Sequence, residues 1–127
     1  VIGLLKRVIA PYPLAATAID AALQAISGDA VSRQQEFVEV VRDGKAELLG
    51  FLKSCDWIKE VTPGEANFIL LRVADANELV DWCAGRGIRI RNFTTQAQLA
   101  GCVRVTIGSA DEMTALKSAL QAYGERA

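Results

Sequence analysis

The chain has 127 residues, a formal net charge of −1 and 51% hydrophobic residues, the size and make-up of about one globular domain. A near-neutral balance with no run of Lys or Arg leaves no electrostatic footprint for nucleic acid or an anionic membrane surface. No apolar stretch approaches the ~20 residues of a bilayer span, and the N-terminus lacks the layout of a secretory signal. Three scattered cysteines, Cys55, Cys83 and Cys102, and the absence of histidine give no metal-ligand spacing and remove Ser-His-Asp and Cys-His catalysis. The cysteines read as reduced thiols of a cytoplasmic protein.

The chain opens on Val1 inside a helical pattern, with Ile2, Leu5, Val8 and Ile9 on one face and Lys6 and Arg7 elsewhere, and is therefore expected to be part of a longer polypeptide. Pro11 and Pro13 stop that helix near Ala10 and hold the Tyr12 hydroxyl in a stiff, extended segment. Residues 14–26 read as an alanine-rich helix ending at Ser27-Gly28. Residues 30–54 form the longest periodic segment, with Phe37, Val41, Leu48 and Leu52 in one stripe widened by Val38, Leu49 and Phe51. Asp29 or Ser32 is available to cap it, Ser32 and Gln35 having capping-box spacing. Gly44 costs it about 1 kcal/mol relative to alanine and marks a place for a bend. Its charges, Lys45 and Glu47 among them, read as a solvated face.

After Cys55 the rhythm changes. Residues 57–61 predict a short strand, Thr62-Pro63-Gly64 a turn, and 67–73 a buried strand through Phe68, Ile69, Leu70 and Leu71. Asp75 and Glu78 are spaced as a helix start, with Leu79, Val80, Trp82 and Cys83 available for burial and Gly85 and Gly87 as the stop. Ile88-Arg89-Ile90-Arg91 alternates strictly, isoleucines inward and arginines on the opposite face. After polar residues 92–100 comes a strand over 101–108, and Ser109 with Glu112 opens a last helix through Met113, Leu116, Leu120 and Tyr123. The order is β-β-α-β-β-α behind a long helix. This predicts an α+β domain, a small open sheet of three or four strands with helices packed on one face.

In the strand after residue 101, Val103, Val105 and Ile107 face the core while Cys102, Arg104 and Thr106 share the other face. A cation there suits a carboxylate or phosphate. It also suits a solvated sheet face or a structural ion pair with a carboxylate such as Glu65. If the strands carrying Arg91 and Arg104 are neighbours, both guanidiniums reach one pocket, and Tyr12 can add a neutral donor.

Four segments carry a family resemblance. They are residues 1–14, ending in Ala10-Pro11-Tyr12-Pro13-Leu14; Ala66-Asn67-Phe68-Ile69-Leu70; Gly87-Ile88-Arg89-Ile90-Arg91; and Gly101-Cys102-Val103-Arg104-Val105-Thr106-Ile107-Gly108. In this order and spacing the chain resembles the C-terminal part of histidinol-phosphate aminotransferases, which are fold-type I pyridoxal-phosphate enzymes. The resemblance implies a small α/β domain over 29–127, joined by its long interdomain helix to a large cofactor domain of which 1–28 is the end. It implies that Arg104 grips the α-carboxylate of glutamate and the phosphate of histidinol phosphate, with Arg91 as a second phosphate-pocket arginine and Tyr12 lining that pocket. Asn67 matches an asparagine at the start of the central strand, in a site role or as a buried amide tying the strand to its neighbours.

The lysine that takes the cofactor aldehyde, the aspartate under the pyridine nitrogen and the phosphate cup are expected upstream. The chain alone is therefore expected to bind no cofactor or metal and to be inactive, while the parent is a cytoplasmic homodimer of histidine biosynthesis. Alternatives are another fold-type I enzyme, such as an aromatic-amino-acid aminotransferase or a threonine-phosphate decarboxylase, or a stand-alone anion-binding regulatory α+β module.

Overall fold

A computed structural model describes residues 2–8 and 14–126, Leu5 and Lys6 by their backbone alone. The segment expected to hold Tyr12 lies outside the described residues. The chain divides into two compact units, 1–38 and 39–127.

The first unit holds α1 (Ile2–Val8), α2 (Ala16–Ala25) and the start of α3 (Gly28–Lys53). No residue of α2 is buried, and the exposed large apolar side chains begin at Ile2 and end at Val40. Because α3 starts at Gly28, Ser32 lies one turn inside it and does not cap it; its hydroxyl donates to the Gly28 carbonyl at 3.1 Å. The expected stripe is used only toward its C-terminal end. Leu48 and Leu52 are 1% exposed, whereas Phe37 is 71% exposed, because the core cluster reaches along α3 no further than Val41.

The second unit is built on one antiparallel sheet of four strands, order β1-β2-β4-β3. These are β1 (Glu60–Thr62), β2 (Phe68–Arg72), β3 (Arg91–Asn92) and β4 (Cys102–Thr106), with α4 (Ala76–Ala84) and α5 (Ala110–Gly124) between and after them. Two strands are shorter than the alternation predicts. Residues 55–58 close a turn, Ile58 N–H donating to the Cys55 carbonyl at 3.0 Å, so β1 starts at Glu60. Before β3, the Ile88 N–H is taken by the Cys83 carbonyl at 3.0 Å, which ties that residue to the end of α4.

Ile69, Leu71, Val103 and Val105 project from one sheet face, all at most 1% exposed. Leu48 and Leu52 of α3, Leu79 and Cys83 of α4, and Leu116 and Leu120 of α5 join them in one cluster. All three helices therefore pack on the same face, and area removal from water is what holds the layers together. The caps behave as spaced: Asp75 accepts from Glu78 N–H at 2.9 Å, and Ser109 and Glu112 complete a reciprocal capping box. The Ser109 backbone N–H holds the Glu112 carboxyl below its ordinary range.

Two glycines permit close approaches. A Cβ on Gly44 would stand 3.3 Å from Ile107 Cγ2, and α3 runs through that position unbroken. Gly101 has φ +73°, a Cβ there would stand 3.1 Å from the Val73 carbonyl oxygen, and its own carbonyl accepts from Val73 N–H at 2.9 Å. Lys45 is not merely solvated. Its ammonium donates to the carbonyls of Gly64 at 2.8 Å and Ala66 at 2.7 Å, fixing the β1–β2 turn to α3.

Candidate functional site

The sheet face turned away from the core is where the arginines gather. In an antiparallel ladder, residues directly opposite share a face. Arg104 lies opposite Leu70 on one side and Arg91 on the other; Arg72 lies opposite Glu60 and Cys102, and Phe68 opposite Thr106. Alternation along β2 and β4 leaves Phe68, Leu70, Arg72, Arg104 and Thr106 less buried than the residues between them, with only Cys102 fully covered. The condition set for Arg91 and Arg104, that their strands be neighbours, is met, and the two are direct cross-strand partners.

The three arginines of this face are held in two ways. Arg72 is consumed internally: its Nε donates to Glu60 at 3.1 Å and an Nη to the Ala100 carbonyl at 2.5 Å. The bond to Glu60 raises its already high pKa further. Arg104 and Arg91 make no ion pair or side-chain hydrogen bond among the described residues, and the Nε of Arg104 is buried without an acceptor. Pairing with Glu65 does not occur; Glu65 is exposed in the turn that Lys45 fixes. Two like charges opposite each other destabilise a sheet, and a buried unsatisfied donor costs about 1–3 kcal/mol. An oxyanion in front of the pair removes both penalties at once.

Aromatic rings stand where carboxylates do not. The Arg104 guanidinium carbon is 5.1 Å from the Phe68 ring centroid, and that of Arg91 is 5.7 Å from the Phe93 centroid. Phe93 follows Arg91 by two residues, and its N–H bonds the Cys102 carbonyl at 3.0 Å. Sequence reading missed both rings, although the two-residue offset from Arg91 to Phe93 was a usable signal.

Among the described residues, the other expected site residue, Asn67, and the neighbouring Arg89 are not brought to this pair. Asn67 is exposed, not a buried amide; its backbone carbonyl, accepting from Ile107 N–H at 2.9 Å, is what ties the strand to β4. Arg89 is exposed beyond the ladder and lines, with Ile88, Ile90, Thr106 and Gly108, an open cleft of about 490 Å³ where the chain leaves β4. Tyr12 lies outside the described residues. No group of three or more His, Cys, Asp or Glu among the described residues is placed to hold a metal, and no described helix is long and apolar enough to cross a membrane.

Pyridoxal phosphate would need a sheltered, unengaged lysine to take its aldehyde. Lys45 is committed to two carbonyls and Lys117 to Glu47, while Lys53 and Lys59 are exposed. The described lysines do not fit that group.

No family model matches the chain. It is 37% identical over 121 residues to a histidinol-phosphate aminotransferase of Pectobacterium carotovorum, covering 95% of this chain and 34% of that protein. With a histidinol-phosphate aminotransferase of Yersinia pseudotuberculosis it is 34% identical over 120 residues, 94% of this chain and 31% of the relative. The chain thus spans about a third of the length of the curated relatives it matches. Among solved structures, the histidinol-phosphate aminotransferase from Clostridium acetobutylicum superposes with a TM-score of 0.83 at 22% identity, over 96% of this chain and 37% of that one. That likeness carries the fold.

Proposed function

We propose, from the premise that this chain is homologous to the C-terminal part of histidinol-phosphate aminotransferases, that its open sheet face is the substrate-anchoring wall of such an enzyme. Arg104 binds the α-carboxylate of glutamate and, in the other half-reaction, the phosphate of histidinol phosphate. Arg91 adds a second fork for the phosphate. Residues 29–127 act as the small domain. The observation that carries this reading is that, among the described residues, the buried Nε of Arg104 has no acceptor and its cross-strand neighbour Arg91 no ion pair.

One guanidinium serves two substrates because carboxylate and phosphate present the same geometry to its fork, a pair of oxygens that accept two parallel N–H bonds. Anchoring fixes where the substrate's reacting carbon lies, and orientation of this kind lowers a barrier without the anchor touching the bond that changes. Pyridoxal phosphate in the parent enzyme supplies the electron sink for amino transfer. The lysines whose side chains are described offer no seat for it. We infer that the 127 residues alone bind anions and do not transaminate, and that the parent enzyme is a homodimer.

The test is a titration of the chain with glutamate and with a phosphate monoester, followed by arginine side-chain NMR. Both ligands shift the Arg104 Nε signal and compete with each other. Arg104→Ala abolishes both responses, and Arg91→Ala weakens the phosphate ester more than glutamate. Unchanged glutamate binding in Arg104→Ala overturns the assignment. In an active enzyme carrying this sequence, Arg104→Ala raises KM for both substrates and lowers kcat/KM.

A further inference from the structure

The two unpaired arginines of the open face share a feature that the third lacks. Arg72 is held by a carboxylate, Glu60, and by a carbonyl. Arg104 and Arg91 are each held over a phenylalanine ring, at 5.1 Å from Phe68 and 5.7 Å from Phe93. Both distances fall inside the ~6 Å range over which a ring's quadrupole attracts a cation. Phe68 and Phe93 are half of the four phenylalanines in the chain, and both are only partly buried, on the face opposite the core.

A carboxylate and a ring do different things for a guanidinium. The carboxylate neutralises it and occupies its N–H donors, so an incoming anion must displace an acceptor already in place. The ring offers no lone pair, leaves the charge uncompensated and still narrows the rotamers of a long side chain. Freezing such a side chain on binding costs conformational entropy, a cost avoided where the side chain is already held. We propose that Phe68 and Phe93 are positioning residues: they hold Arg104 and Arg91 in place while keeping both charges available to an anionic ligand. This rests on the reading of Arg104 and Arg91 as the anion site.

The ladder supports the role. Phe68 is opposite Thr106, two residues along β4 from Arg104, and Phe93 is two residues along from Arg91. Phe68 is thus a diagonal same-face neighbour of Arg104 in the ladder, and Phe93, directly after β3, is fixed by its N–H bond to the Cys102 carbonyl at 3.0 Å. Neither ring belongs to the core cluster, so replacing it tests placement more than folding.

The experiment titrates the whole chain with inorganic phosphate, comparing the unaltered protein with Phe68→Leu, Phe93→Leu, Phe68→Tyr and Arg104→Ala. Leucine keeps the apolar bulk and removes the quadrupole, and tyrosine restores a ring. Phe68→Leu is expected to weaken phosphate binding about five- to tenfold, Phe93→Leu about two- to fivefold, and Phe68→Tyr less than twofold. Without ligand, Phe68→Leu should also shift the Arg104 Nε resonance by loss of ring current while backbone amide signals stay dispersed. Phosphate binding unchanged in both leucine variants but lost in Arg104→Ala overturns the positioning role and leaves the anion site standing. Binding unchanged in Arg104→Ala overturns the anion site and this role with it.

Discussion

The two faces of the sheet are made by the same strands, one residue apart, and follow opposite rules. On the core face Ile69, Leu71, Val103 and Val105 are at most 1% exposed, and each meets side chains from the helical layer. On the other, three arginines are spread over three strands, and two of them have no acceptor among the described residues. The first face gains by excluding water. The second pays a standing electrostatic cost, because Arg91 and Arg104 are opposed across the ladder. A ligand would remove such a cost, which is why the proposed anion site is placed on this side of the sheet and not on the sealed one.

The largest expected effect breaks the sealed face. Leu71→Ala removes a side chain that is 0% exposed and should lower stability by about 2–5 kcal/mol in urea denaturation. A loss below 1 kcal/mol would show that the cluster repacks freely. Next is the edge where the two faces meet the β4 entry. Gly101→Ala places a Cβ at φ +73° and 3.1 Å from the Val73 oxygen, and should cost about 1–2 kcal/mol. On the open face the sign reverses. Arg104→Met keeps the length, removes a buried unsatisfied donor and should leave stability unchanged or raise it by up to about 1 kcal/mol. A clear loss of stability would mean that the contact with the Phe68 ring outweighs the cost of the unsatisfied donor.

The smallest effect is a pH signature of the helices that seal the first face. Burial, followed by the hydrogen bond to Glu78, pushes the Tyr123 hydroxyl up to about 12 from an ordinary 10. A folded-state pKa above the unfolded one means stabilisation that is complete below pH 10 and lost as pH rises through about 12. Thermal melts across that window should fall more steeply for the unaltered chain than for Tyr123→Phe, and parallel slopes would remove Tyr123 from the account.

Local pattern made much of this legible. Alternation over 101–108 placed Arg104 opposite the core face, helical spacing found Met113, Leu116 and Leu120, and Ser109 with Glu112 announced a cap that is formed. What stayed hidden is what depends on pairing. Alternation told that Arg91 and Arg104 face away from the core but not that they are opposite each other. Nothing near Arg72 in sequence announced Glu60, 12 residues earlier, as its partner. Lys45 looked like one charge among many because the carbonyls it binds lie 19 and 21 residues away. The overlong reading of β3 failed for a related reason, since the Ile88 N–H was already committed to the Cys83 carbonyl of α4.

The ladder between β3 and β4 is two residues long, whereas β4 pairs with β2 over five. Amide hydrogens of β4 facing β2 should therefore exchange with solvent on the timescale of global opening, and those of Arg91 and Asn92 through local fraying. The proposed anion site would then have one half on the longer ladder and the other on the shorter one. An anion bridging Arg104 and Arg91 would fasten the frayed edge, and slower deuterium uptake at residues 91–92 would report its arrival.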